Sequence, residues 1–261
     1  WAELRPDPRW AHRSWSEVHL YDLDTGQKRR LTRQTRYFSP ALSPDGSMVA
    51  VVETTDRNRY FLMVLDAADG RPIRRYAPEN NDFLMTPAWH PHDHSLVAVA
   101  QGEDGRRLVL ADDRTGGFTT LFDAGHMEVS RPRFQSDGSL WFNGAFSGID
   151  NVYRLDPETR EVTRLLSSRF GGLDAVLSPG GGQVAWSDYS SDGYRLAVAP
   201  LSAAGNQPLE RVEDHSMGWH RILASQEQGV VSPSLVPRRE YLDLPYSKAA
   251  NLLNFHSWGP F

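Results

Sequence analysis

The segment Ser39-Pro-Ala-Leu-Ser-Pro-Asp-Gly-Ser-Met-Val-Ala50 has three counterparts later in the chain. They are Thr86-Pro-Ala-Trp-His-Pro-His-Asp-His-Ser-Leu-Val-Ala98, Arg131-Pro-Arg-Phe-Gln-Ser-Asp-Gly-Ser-Leu-Trp-Phe142 and Leu173-Asp-Ala-Val-Leu-Ser-Pro-Gly-Gly-Gly-Gln-Val-Ala185. Aligned on Pro44, Pro91, Ser136 and Pro179, the units follow one another at spacings of 47, 45 and 43 residues. A self-similarity of this period marks a repeat architecture.

Each unit runs through the same events. A short apolar stretch reaches a turn, as at Pro44-Asp45-Gly46, and an apolar strand follows. A polar loop leads to a third strand, such as Tyr60–Leu65 or Asn151–Leu155. A second turn, such as Ala68-Asp69-Gly70 or Arg114-Thr115-Gly116, then leads to a fourth, such as Glu161–Leu165. Pro presets φ, Asp bonds back to its own turn, and Gly supplies the positive φ that a tight hairpin needs. Four short antiparallel strands in about 45 residues is the arithmetic of a propeller blade. One such sheet cannot bury both faces, so several must stack about an axis. The sequence predicts an all-β chain, a β-propeller of four-stranded antiparallel blades with about five units visible. Residues 17–32 match a third and fourth strand and Trp1–Leu4 a second, so the first unit is expected to be truncated at its innermost strand.

The periodicity stops after Leu201. Residues 1–201 are assigned to the blades, and 202–261 to a linker and C-terminal arm leading toward a missing domain. Either that tail completes the ring, or the ring is open and its exposed blade faces and unpaired edge favour self-association. The formal net charge of −5 excludes wholesale electrostatic binding of nucleic acid. The absence of cysteine excludes disulfides and cysteine-ligated zinc. No apolar run approaches the ~20 residues of a membrane-spanning helix, so membrane contact is expected only through missing regions.

The pattern in residues 39–50 resembles the WD40-like PD40 repeat found in TolB-type propellers and in the propellers of prolyl-oligopeptidase and tricorn proteases. Trp15–Leu23, Arg36–Gly46, Phe142–Tyr153, Ser167–Gly171, Ser187–Tyr194 and Asn254–Pro260 are further similar to a set of large envelope proteins of Bacteroidetes-type bacteria. The resemblance implies a periplasmic or outer-membrane-associated setting in a Gram-negative bacterium. It implies no established activity.

A search for chemistry finds no Gly-x-Ser-x-Gly elbow, no His-Glu-x-x-His and no Gly-rich phosphate loop. No catalytic residue and no cofactor are expected. His90, His92 and His94 form a compact set of metal-ligand types, but Pro91 and the turn should splay their rings, so no metal is assigned. Lys28, Arg29 and Arg30 alternate along a strand and should point apart. Trp89, Trp141 and Trp186 are expected to pack between blades. Mapping the loops onto a propeller places Tyr37, Arg131, Asn143, Phe146, Asp150, Arg169 and Tyr189 around one channel mouth, a funnel suited to a peptide. The expected function is non-catalytic recognition of a protein or peptide partner within a larger envelope protein. The alternative is the substrate-gating propeller of a peptidase whose catalytic domain lies elsewhere; exposed aromatics binding carbohydrate are the weakest reading.

Overall fold

The computed structural model describes residues 1–8 and 14–226, with isolated positions 235, 237, 239 and 242. Trp10 and the Asn254–Pro260 motif lie outside the described residues. Five antiparallel sheets follow one another along the chain. The first holds β1 (Ala2–Pro6), β2 (Ser14–Tyr21) and β3 (Lys28–Arg30). The second holds β4 (Tyr37–Leu42), β5 (Met48–Thr54), β6 (Tyr60–Asp66) and β7 (Pro72–Tyr76). The third holds β8 (Phe83–Trp89), β9 (Leu96–Gly102), β10 (Gly105–Asp112) and β11 (Gly117–Asp123). The fourth begins with β12 (Val129–Phe134), β13 (Leu140–Gly144), β14 (Asn151–Leu155) and β15 (Val162–Leu166). The fifth holds β16 (Gly172–Leu177), β17 (Gln183–Ser190) and β18 (Gly193–Pro200). This is the propeller that the repeat predicts, with three-stranded first and fifth sheets.

Sheet-on-sheet packing follows from strict alternation on central strands. In β5, Val49 and Val51 face the first sheet with Val18, Leu31 and Leu65, whereas Ala50 and Val52 face the third with Leu84, Leu96 and Ala98. β5, β9 and β13 are therefore apolar on both faces, which is why these second strands read as continuous hydrophobic runs. Trp89 and Trp141 are buried at such interfaces, Trp186 is half-buried at one, and Trp89 donates to the Ala41 carbonyl at 2.9 Å. Arg29 reaches the Ala67 and Ala68 carbonyls of the second sheet, while Lys28 and Arg30 turn the other way, to Glu3 and Glu17.

The tail departs from the expected linker. The compact unit runs from Trp1 to Met217 rather than stopping at Leu201. Strand β19 (Gln207–Pro208) pairs with β15 and makes the fourth sheet five-stranded. Leu209 and Val212 pack into the apolar cluster between the third and fourth sheets, and His215 N–H donates to the Ser147 carbonyl. The strap ties down the fourth sheet and supplies no strand to the first, so the tail, as far as it is described, does not close the ring. The second unit, from Gly218, contains the helix α1 (Trp219–Gln226).

Candidate functional site

Four innermost strands line the axis, and all four break register at one place. In β4, Ser39 and Pro40 together oppose the single residue Val51, because pairing skips from Phe38 to Ala41. The same break falls at Thr86-Pro87 in β8, Arg131-Pro132 in β12 and Asp174-Ala175 in β16. Each is a β-bulge with its first residue left-handed: φ is 48° at Ser39, 44° at Thr86, 52° at Arg131 and 56° at Asp174. Bulges of this geometry ordinarily place glycine first. Proline suits the second position, where no ladder hydrogen bond is required of its nitrogen.

The four bulges bring Ser39, Thr86, Arg131 and Asp174 to one cleft of about 300 Å³. Arg131 forms an ion pair with Asp174, and both side chains are about half exposed. Arg133 also lines the cleft and has no ion-pair partner among the described residues. Two arginines and one aspartate thus line the cleft. On its wall, Thr86 Oγ1 and Trp141 Nε1 are buried and unpaired among the described residues. Asn143, 2% exposed, fixes the wall: its Nδ2 donates to the Gly172 carbonyl at 2.9 Å, and its Oδ1 accepts from Asp174 N–H at 3.2 Å.

Of the seven residues expected at the mouth, only Arg131 and Asn143 line this cleft. Asp150, in the loop before β14, accepts from Gly172 N–H at 2.8 Å; Tyr189 N–H donates to Gly171 at 2.9 Å, so both loops meet at the β15–β16 connection. Arg169 is exposed on that connection, its guanidinium over the Phe170 ring. The Tyr189 side chain packs on Tyr194, away from the cleft. Phe146 packs edge-on against Tyr153 in the core. Tyr37 is buried between the first and second sheets, where burial first and Glu53 second push its phenol up. Sequence reading missed Ser39, Thr86 and Asp174. Their signal lies five residues before each repeat anchor, ahead of a proline in two of the three.

The three histidines engage separate partners. His90 Nδ1 lies 2.9 Å from Asp93 Oδ1, His92 Nε2 3.3 Å from the Ser136 carbonyl, and His94 Nε2 3.3 Å from Asp45 Oδ2. His92 and His94 reach the turns of the fourth and second sheets, whereas His90 stays within its own turn. Among the described residues, no group of three or more His, Cys, Asp or Glu side chains is placed to hold a metal ion.

Stacked antiparallel sheets of three to five strands around a shared polar cleft define a β-propeller fold. The chain is similar to TolB from Acinetobacter baumannii, at 20% identity and a TM-score of 0.60, over 79% of this chain and 51% of that one. It is similar to a putative TolB from Agrobacterium tumefaciens, at 18% identity and a TM-score of 0.62, over 80% of each. It also matches puromycin hydrolase at 19% identity and a TM-score of 0.55, over 79% of this chain and 38% of the other. The chain thus spans about half of the first TolB. No family model matches the sequence. At these identities the likeness establishes the fold.

Proposed function

We propose that the chain is a non-catalytic binding and scaffolding module of a larger bacterial envelope protein, periplasmic or outer-membrane-associated, which recognises a protein or peptide at the channel mouth. The observation that carries this reading is the polar cleft shared by four inner strands, with the exposed β15–β16 connection leading into one of them. Rigid blades hold the loops, and loops on a rigid scaffold are where recognition concentrates. A photo-crosslinking residue at Arg169, on that connection, is compared with one at Glu158, in the hairpin at the opposite end of the fourth sheet. A partner adduct from Arg169 alone supports the reading; adducts from Glu158 alone, or equally from both, sink it.

A second reading is the substrate-gating propeller of a peptidase, favoured by the fold match to puromycin hydrolase. The gene on both sides of this segment discriminates. A nucleophile elbow or zinc-protease motif makes the chain a substrate filter, whereas flanks without either remove this reading.

A further inference from the structure

We propose that the channel cleft binds a carboxylate, supplied by the free C-terminus of a peptide; this rests on the reading of the mouth as a peptide- or protein-binding face. The first ground is where the repeats tolerate strain. Eight hairpins join first to second or third to fourth strands in the sheets that have both. Six place glycine at a left-handed position, Gly26, Gly46, Gly70, Gly116, Gly138 and Gly181, and the other two place His94 and Arg160 there. The four channel bulges need the same backbone, and none uses glycine. A left-handed L-residue is disfavoured by ~1–2 kcal/mol, and such strain persists where the surroundings over-determine it. What the channel retains in exchange is a polar side chain every time: two hydroxyls, a guanidinium and a carboxylate.

The second ground is charge and donor count. Asp174 engages one nitrogen of Arg131, and a guanidinium has five N–H donors in a planar fork that matches a carboxylate. Arg133 lines the same cleft and has no ion-pair partner among the described residues. Ser39 and Thr86 stand on the same lining, Thr86 with its Oγ1 buried and unpaired among the described residues. A volume of about 300 Å³ is at the small end of ligand sites and admits a chain end rather than a folded surface.

The test follows the Trp141 indole ¹H–¹⁵N resonance, assigned with Trp141→Phe, during titration of the whole chain. Three probes are used: N-acetyl-trialanine with a free carboxylate, its C-terminal amide, and N-acetyl-Ala-Asp-Ala-amide. The free acid is expected to move the resonance saturably, and the plain amide to leave it in place. Arg133→Gln should weaken the acid about tenfold, as expected for a lost charge-assisted hydrogen bond. Arg131→Gly should abolish binding while the melting temperature holds or rises, since glycine relieves the left-handed backbone; a lower melting temperature with binding intact would make Arg131 structural and overturn its role. Equal movement by acid and plain amide overturns the carboxylate while leaving peptide recognition standing. Equal movement by the free acid and the aspartyl amide supports a carboxylate site but overturns the terminus as its source. No movement with any probe overturns the inference, and the crosslinking comparison then decides the mouth separately.

Discussion

Replacing Asn143 by leucine removes a polar clasp between the fourth and fifth sheets while keeping the buried volume filled. Asn143 joins β13 to β16 through the 2.9 Å bond to the Gly172 carbonyl and the 3.2 Å bond from Asp174 N–H, with a longer contact of 3.4 Å to the Asn151 carbonyl. A net hydrogen bond is worth about 1 kcal/mol, and a buried partner left unsatisfied costs ~1–3 kcal/mol. Two good bonds lost, with both backbone partners orphaned, amount to about 2–6 kcal/mol. The loss should fall on one sheet. The fifth sheet is held on one face by Ala175, Leu177, Val184 and Trp186, while Tyr189, Tyr194, Leu196 and Val198 stand exposed on its other face. Nothing described there replaces the clasp. Native-state hydrogen exchange of Asn143→Leu should therefore show β16–β18 amides opening about a hundredfold faster. Amides of β5 and β9, in sheets packed on both faces, should keep their protection. Gln135→Met, which removes the 2.8 Å bond from Leu177 N–H, should act on the same amides with about half the free-energy effect. Unchanged exchange in β16–β18, or equal acceleration in every sheet, would refute the reasoning.

Two further outcomes follow from the same packing. Asp22, Asp45, Asp112 and Asp156 are held below the ordinary aspartate value by hydrogen bonds, foremost from Thr25, Ser43, Arg114 and Thr159 respectively. A depressed folded value means that the charged form stabilises above the unfolded value, 3.8 in each case, and that the contribution is lost as pH falls below it. The contribution of these four carboxylates to the urea midpoint should accordingly be flat near neutrality and fall below about pH 4; Asp45→Asn should be less stable at neutral pH and fall less steeply between neutrality and about pH 3. The exposed face of the fifth sheet and the outer edge of β18, which no described strand covers, favour association between copies. Leu196→Glu should leave unfolding within about 0.5 kcal/mol of the parent and abolish concentration-dependent sedimentation; a parent chain that stays monomeric at every concentration would contradict this.

Fold was legible from sequence because a propeller repeats its instructions. The Ser43-Pro-Asp-Gly46 turn specifies a hairpin by local chemistry alone: Ser43 and Ser47 hydroxyls and the Ser47 N–H all donate to the Asp45 carboxylate. Such signals need no knowledge of distant residues, and their 43–47 residue spacing gives the blade. The site was less legible, since assigning a loop to the mouth does not say which way a side chain points. Phe146 is in the right loop, yet its ring turns into the core because Phe122 and Tyr153 offer apolar surface there. Tyr189 is one residue from a loop and on an inward-leading strand, but it pairs with Tyr194 and so shares that residue's outer face. Strand alternation alone would also mislead at the cleft. From Phe38, period two sends Ser39 and Ala41 to one side, whereas the bulge slips the register by one between them. That slip recurs in all four inner strands, and the only trace it leaves in sequence is a polar residue ahead of proline in three units and ahead of alanine in the fourth. Read together with the repeat spacing, that trace becomes informative: a position where the fold calls for glycine and the chain repeatedly keeps a functional group is where side-chain chemistry, rather than backbone geometry, constrains the residue.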